Sequence, residues 1–172
     1  MEKEAWQSEG ENIAAAEEKI RARIDSFPQG ITLALGERDE PIGSQYAFRF
    51  DWDEDVARLG SWDDYTACGW TYKVHTSEGG TGFLVGVGVI PKARGFFVTH
   101  NLRWKKPMRT SALLIAKTLD TLFSLGVQRV IANARIPFYH RRPDLNVEQY
   151  CNLRRDDSEL FDPVLRFHER MG

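Results

Sequence analysis

Two apolar runs with a helical segment between them constrain the fold of this 172-residue chain more than any other feature. The first run, FLVGVGVIP at residues 83–91, is rich in valine, and its two glycines indicate a buried strand with a loosened or bulged backbone. The second run, VQRVIAN at residues 127–133, predicts another buried strand. A strand, a helix and a strand in this order form a βαβ unit, so we expect residues 83–90 and 127–133 to be adjacent parallel strands.

We expect the connecting helix to cover residues 111–125 and to pack across the two strands. Thr110 or Ser111 can cap its N-terminus, and Gly126 is a natural C-terminal stop. The start of such a helix carries unpaired N–H groups and is therefore a ready site for phosphate. The predicted apolar face consists of Ala112, Ile115, Ala116, Leu119, Leu122 and Phe123.

The remaining segments predict a mixed α/β sheet with helices on both faces. In the first long helix, Ile20 and Ile24 lie on the predicted inward face and Arg23 lies on the predicted outward face. Residues 1–11 are polar, so we expect a flexible tail within a single domain that covers residues 1–172. The predicted elements outside the βαβ unit are helices at residues 12–26, 147–155 and 164–172 and strands at residues 31–35, 44–50 and 70–76.

Composition argues against several classes of function. The net charge of −2 gives no electrostatic footprint for nucleic acid, and no run is long and apolar enough to span a membrane. Cys68 and Cys151 are far apart and form no CxxC motif, which favours a reducing compartment over a disulfide framework or a structural zinc site. The four histidines lack metal-ligand spacing, and the polar N-terminus is unlike a secretory signal. We therefore expect a soluble cytoplasmic protein that binds no metal, nucleic acid or membrane.

The order VIPKARG, helix, G-V-x-R-V, strand resembles the acyl-CoA-binding core of the GNAT acyltransferase superfamily. The resemblance implies a GNAT fold whose two parallel strands splay apart at their C-terminal ends, so that the first exposes backbone groups to an acyl-pantetheine arm. It also implies an Arg/Gln-x-x-Gly-x-Gly/Ala loop that holds the pyrophosphate at the helix N-terminus. The residues that it assigns to binding acyl-CoA, or an acyl thioester on phosphopantetheine, are Val89, Ile90, Arg94, Gly95, Arg109 and Ser111.

The phosphate loop departs from the family pattern. Arg94 and Gly95 stand where the loop begins, but FFVTHNLRWKKPMR at residues 96–109 replaces the compact glycine turn. We therefore expect weak binding of free CoA and a preference for a carrier-bound substrate. The basic residues of this segment can clamp a phosphate group or an acidic acyl carrier protein, or they can belong to a solvated surface loop. They are Arg94, Arg103, Lys105, Lys106 and Arg109.

The second half of the sequence narrows the resemblance to the curacin-type GNAT domains of polyketide synthase loading modules. It rests on SWDDYTACG, RIPFYH, VEQYC and DPVLRFHERMG, and the match covers residues 27–172. It implies an enzyme that removes CO2 from a malonyl-type thioester to prime polyketide synthesis, with transfer of the acyl group to an acyl carrier protein. The implied partners are that carrier protein or neighbouring synthase domains, and a small-molecule thioester.

His168 matches the histidine of the subgroup's DP-x-L-x-F-H block and is therefore the first catalytic candidate. The subgroup's threonine position falls on Ala134, so Asn133 or Thr99 would have to take that role. Loss of CO2 leaves an enolate, which needs a donor near its oxygen and a proton source for its carbon, and a histidine supplies either near neutral pH. The alternative for His168 is a helix histidine that is hydrogen-bonded to a neighbour.

Three further residues are candidates for the substrate pocket, namely Trp62, Arg135 and Tyr139. A large aromatic residue such as Trp62 is more often part of a core. In the last helix, Asp162 can cap the N-terminus and Pro163 suits the first turn. His168 follows Val164 and Leu165 at spacings of four and three, so we expect it on the inward face.

Three functions therefore remain open. The first is the decarboxylase, the second is a CoA-dependent N-acyltransferase that acts on a small amine, and the third is a non-catalytic GNAT-like domain of a larger synthase. The altered phosphate loop argues against the second, and Ala134 argues for the third. The resemblance also implies a closing strand pair after the last helix, for which the sequence up to Gly172 has no segment. We expect either a cut chain or a sheet that another chain or domain completes.

Overall fold

The predicted βαβ unit forms, and the rest of the main sheet is built on it. Strand β3 (Thr81–Val89), helix α4 (Thr110–Ser124) and strand β6 (Arg129–Ala132) follow in this order, and β3 and β6 are parallel. The computed structural model describes residues 1–7, 14–58, 60–95, 97–98 and 108–171. The chain divides into two compact units, Met1–Ala132 and Asn133–Gly172, of which the first contains the βαβ unit.

The main sheet has four strands in the order β1-β2-β3-β6. Strands β1 (Ile31–Leu35) and β2 (Pro41–Phe50) form the predicted antiparallel hairpin, although β2 begins earlier than predicted. Strand β2 is also antiparallel to β3, so the sheet is mixed, as expected. A separate two-stranded ladder joins β4 (Phe97–Val98) to β5 (Met108–Arg109).

The second half of β3 is less regularly paired than the first. Strand β6 pairs with β3 from Thr81 to Leu84, and β3 continues beyond this point to Val89. Along β2, consecutive residues pair with Leu84 and Gly86, so Val85 is an extra residue in a β-bulge. The loosened backbone of β3 is therefore present, as predicted, and its pairing with β6 ends at Leu84, where β6 itself ends at Ala132.

Helix α4 packs on β1, β2 and β3 and closes the core of the first unit. The predicted burial of Ile115, Ala116 and Leu122 is confirmed. The prediction for Phe123 is wrong, because this side chain is 51 % exposed. The buried face instead includes Thr118, whose hydroxyl lies 2.8 Å from that of Thr32. The buried residues of α4 include a row spaced four apart that faces the sheet, and Phe123 lies outside this row.

The two ends of α4 differ in how well the sequence predicted them. Gly126 has a φ of +86°, which suits the helix stop predicted there. The predicted cap by Thr110 or Ser111 is wrong, because the N-cap residue is Arg109, whose side chain makes no capping hydrogen bond within the described part of the chain. Thr110 is already the first helical residue, so its hydroxyl is not in the capping position.

The strand predicted at residues 70–76 is absent, and a short 3-10 helix, Thr71–Lys73, stands in its place. Both edges of β2 are taken by β1 and β3, which leaves no edge there for another strand. Helix α3 (Trp62–Thr66) is followed by left-handed backbone at Ala67, Cys68 and Gly69, with φ of 50°, 55° and 85°. This turn directs the segment across the sheet, where the Thr71 hydroxyl lies 2.9 Å from that of Tyr46.

Helix α2 (Glu17–Ser26) buries a different face from the predicted one. Ile24 is 47 % exposed, whereas Arg23 is only 9 % exposed. The Arg23 guanidinium lies 5.0 Å from the Tyr46 ring centroid and donates a hydrogen bond to the Gly69 carbonyl at 3.3 Å. A long aliphatic stem and a planar cation can cover an aromatic ring better than a branched side chain, and burial lowers the pKa of Arg23.

The flexible tail predicted over residues 1–11 is not found where the structure describes that range. Helix α1 (Glu2–Trp6) forms there, and its Ala5 is 2 % exposed. Ala5 belongs to an apolar cluster with Val89, Ile90 and Leu114, so α1 is packed against the end of β3. Residues 8–13 lie outside the description. No helix in the described part of the chain is long and apolar enough to cross a membrane.

We expect Arg23→Ala to lower the free energy of unfolding by about 1–2 kcal/mol, because it removes a cation–π contact and a charge-assisted hydrogen bond. Ile24→Ala is the matched control and should change this free energy by less than about 0.5 kcal/mol, because its side chain is half exposed. Urea unfolding of both variants measures the difference. A larger loss for Ile24→Ala would mean that the hydropathy pattern, and not the described packing, gives the buried face.

Candidate functional site

A cavity of ≈310 Å³ lies where β3 ends and α4 begins, and we call it the β3–α4 cavity. Five of the six predicted binding residues line it, namely Val89, Arg94, Gly95, Arg109 and Ser111. The sixth, Ile90, is instead 2 % exposed in the apolar cluster beneath. The remaining lining residues are Ala5, Trp6, Val87, Gly88, Ala93 and Thr110. The sequence motif thus identified residues that the fold brings together.

Arg94 is held in place at the edge of this cavity by two backbone carbonyls. Its Nε donates to the Val89 carbonyl at 3.1 Å, and its Nη2 donates to the Ala5 carbonyl at 2.6 Å. These two hydrogen bonds fix the direction of the guanidinium group. Together with Arg109, which also lines the cavity, Arg94 makes this end of the sheet suited to an anion.

The start of α4 adds a further polar group to the cavity. Thr110 is 3 % exposed, and its hydroxyl finds no hydrogen-bond partner among the described residues. An unsatisfied buried hydroxyl is costly, so a polar ligand in the cavity would stabilise it. The N-terminal N–H groups of this long helix also favour negative charge. Sequence reasoning predicted the helix start but assigned Thr110 to capping.

Trp62 lies at the β3 bulge and not in the lining of the β3–α4 cavity. Its indole Nε1 donates to the Val85 carbonyl at 3.1 Å, which is the bulged residue. Ser61 and Asp64 form a capping box at the start of α3, so the position of the indole is well defined. Trp62 also packs against the main core, which agrees with the structural alternative for this residue.

A second cavity, of ≈550 Å³, lies near the opposite end of β3, since its lining includes Phe50, the partner of Thr81. It is wide, and its charged groups are engaged locally. Asp64 accepts from Ser61 in the capping box, and Arg58 pairs with two neighbouring carboxylates. These groups stabilise the local loops, so this larger cavity is a weaker candidate for binding.

In the second unit, helix α6 (Pro163–Met171) carries His168. His168 is half-buried and lies edge-on to Phe167, with the ring centroids 5.4 Å apart. Burial lowers the pKa of His168 below its ordinary value of 6.5, so the neutral imidazole dominates at pH 7. Asp162 accepts hydrogen bonds from the Val164 and Leu165 N–H groups, which confirms the predicted cap.

A buried hydrogen-bond centre fixes the start of α6. Asp162 is 1 % exposed, and its Oδ2 accepts from the Tyr150 hydroxyl at 2.8 Å and from the Phe138 N–H at 3.4 Å. Tyr150, on α5 (Val147–Cys151), is fully buried, and its burial raises the pKa of its phenol. Sequence reasoning did not single out Tyr150, although it lies in the VEQYC block that carried the resemblance.

The other predicted site residues are not all brought together. Asn133 and Arg135 are exposed in the second unit. Tyr139 lies there too, and its hydroxyl donates to the Leu145 carbonyl at 3.1 Å, as expected of a packing residue. Thr99 and most of the basic insert lie outside the described residues. Within the described ranges, no cluster of histidine, cysteine or carboxylate side chains is placed to hold a metal ion.

No protein-family model and no curated protein matches this sequence. Solved structures do match it. The loading GNATL domain of CurA from Lyngbya majuscula aligns with a TM-score of 0.75 and 24 % identity, over 99 % of this chain and 75 % of that one. The GphF GNAT-like decarboxylase in complex with isobutyryl-CoA aligns with a TM-score of 0.68 and 21 % identity, over 99 % and 76 %. The chain therefore has the GNAT-like fold that the sequence predicted.

We expect the folded-state pKa of His168 to lie below 6.5 and to return to that value in urea. The unfolded chain then binds more protons between these two pKa values, so the contribution of His168 to stability is present above pH 6.5 and is lost as pH falls through the folded pKa. NMR titration measures the pKa, and His168→Gln should reduce the pH dependence of unfolding below pH 6.5. A folded pKa above 6.5 would contradict the described burial.

Proposed function

We propose that this chain binds an acyl thioester at the β3–α4 cavity and is a GNAT-fold enzyme that decarboxylates a malonyl-type thioester to prime polyketide synthesis. One observation carries the proposal, namely the convergence of Arg94, Arg109 and the unsatisfied Thr110 hydroxyl at the start of α4, beside the end of β3. These are donors for a phosphate group, and they lie beside a strand whose pairing with β6 has ended.

The proposed position of the thioester arm follows from the backbone of β3. The pairing of β3 with β6 ends at Leu84, and beyond this point the proposed arrangement has backbone polar groups of β3 pair with the amides of a pantetheine arm. The bulge at Val85 re-aims the backbone, and Trp62 holds its carbonyl. In this arrangement the phosphate end of the arm lies at α4 and the acyl end lies towards the bulge.

The proposed chemistry breaks the bond between the carboxylate carbon and the α-carbon of the malonyl group. CO2 leaves, the electron pair passes to the thioester carbonyl as an enolate, and the α-carbon then takes up a proton. His168 is the proposed donor to the enolate oxygen, and its lowered pKa favours the neutral imidazole in this role. Asn133 is the proposed second donor, since Ala134 has no polar side chain.

Two kinds of support favour this reaction over the alternatives. The GphF protein is a GNAT-like decarboxylase in complex with isobutyryl-CoA, so a similar fold binds an acyl thioester, and the CurA domain is a loading domain. The cavity of ≈310 Å³ is at the lower end of the range of about 300–1,000 Å³ for ligand pockets, which suits a phosphopantetheine arm better than all of CoA. An acyl carrier protein is therefore the proposed partner.

Decarboxylation is tested by incubating the protein with malonyl-, methylmalonyl- and acetyl-thioesters, on CoA and on a carrier protein, and measuring CO2 release. We expect CO2 from a malonyl-type thioester, and His168→Ala should lower the rate on the order of a hundredfold because it removes one donor to the enolate. Glu169→Ala is the control, since it alters the adjacent residue of α6, whose carboxylate forms an exposed ion pair with Arg154.

Other outcomes of this assay would replace the proposal. Unchanged turnover in His168→Ala would make His168 a packing residue. Acylation of an added amine without CO2 release would favour the N-acyltransferase, and no reaction with any thioester would favour a non-catalytic domain of a synthase.

We further expect a carrier-bound acyl arm to bind at least tenfold more tightly than free CoA. Arg109→Ala should weaken both ligands and reduce the salt dependence of binding, because it removes a cation from the cavity. Calorimetry at two salt concentrations measures this, with Lys117→Ala, an exposed site on the same helix, as the control. Tight stoichiometric binding of free CoA at physiological salt would contradict the preference for a carrier.

A further inference from the structure

Two glycines of β3 face helix α1 at short range. A Cβ atom added at Gly88 would lie 3.2 Å from both the Ala5 Cβ and the Trp6 Nε1, and one added at Gly86 would lie 3.4 Å from Trp6 Cζ2. A side chain at Gly88 would require Ala5 or the indole to move by a few tenths of an ångström, so glycine suits the close approach of α1 there. The pairing of glycine and tryptophan places α1 over the half of β3 that follows the bulge.

Helix α1 also contacts the charged edge of the β3–α4 cavity. Ala5 and Trp6 line the cavity, and Ala5 is buried against Val89. The Ala5 carbonyl accepts the hydrogen bond from Arg94 Nη2, while β3 supplies the second acceptor through Val89. The Arg94 guanidinium therefore bridges the strand and the N-terminal helix, so its direction depends on both.

We propose that α1 is a working part of the thioester site and that it positions Arg94 for the phosphate group of the ligand. This inference rests on the proposed function. Trp6 packs on Gly86 and Gly88, which keeps the Ala5 carbonyl at the distance that fixes the guanidinium. Trp6 is a positioning residue that acts through Arg94.

A double-mutant cycle in the 172-residue chain tests this coupling. Trp6→Ala removes the packed indole, Gly88→Ala pushes against α1, and each is combined with Arg94→Ala. Gly80→Ala is the matched control, because a Cβ there has no described atom within 4 Å. The probes are 4′-phosphopantetheine and CoA, binding is measured by calorimetry, and turnover of a malonyl thioester gives KM and kcat.

We expect Trp6→Ala and Gly88→Ala each to weaken phosphopantetheine binding about tenfold, as for the loss of one charge-assisted hydrogen bond. In the Arg94→Ala background neither should cause a further loss, since α1 acts through that residue. KM should rise while kcat stays within about twofold, because the affected contact is far from the reacting bond. Trp6→Phe should restore most of the affinity, and Gly80→Ala should match the wild type.

Each other result overturns the inference in a recognisable way. Additive losses in the Arg94→Ala background would show that α1 stabilises the fold without positioning this side chain. Unchanged binding in both single variants would remove α1 from the site, and tighter binding would make it an obstruction to the ligand. If the wild type binds neither probe, the proposed function fails and this inference fails with it, whereas a binding wild type with an additive cycle overturns the inference alone.

Discussion

The pairing of β3 is the constraint on which the candidate site depends. From Thr81 to Leu84 this strand has a partner on each edge, whereas beyond the bulge at Val85 its register with β6 has ended. Backbone polar groups on such an edge must find other partners. Trp62 takes the Val85 carbonyl and Arg94 takes the Val89 carbonyl. In the proposed function, the thioester arm pairs with backbone groups of this part of β3.

The two cavities described above differ in how the charges of their lining residues are paired. At the smaller one, two backbone carbonyls fix the direction of Arg94, and Arg109 also lines the cavity, so two cationic side chains lie there. At the larger one, Arg58 is paired with Asp53 and Asp55, so its charge is compensated nearby. The smaller cavity also includes the start of α4 with the unsatisfied Thr110 hydroxyl. Charge, helix orientation and an unsatisfied donor thus favour the same place for an anion, although the cavity there is smaller.

The sequence by itself determined the elements whose signals are local. The parallel pair, the helix between them and the stop at Gly126 follow from apolar runs and from one glycine, because periodicity within a segment sets which backbone it can adopt. Five of the six binding residues assigned by the resemblance line the cavity, since these residues lie at two short stretches that a βαβ unit must bring together. Asp162 was predicted as a cap because capping involves only the next residues.

Only the tertiary structure decided the features that need residues distant in sequence. Apolar and polar residues alternate at residues 70–76 as in a strand, but both edges of β2 are already paired with β1 and β3. Arg23 is buried because its guanidinium packs on the Tyr46 ring and donates to the Gly69 carbonyl. Because this face of α2 is turned inward, the neighbouring Ile24 is exposed. The contact of α1 with Arg94 joins residues that are 89 positions apart in sequence, and no local pattern predicts it. Propensity acts within a segment, whereas burial and hydrogen bonding depend on which surfaces meet, and that is decided by the fold.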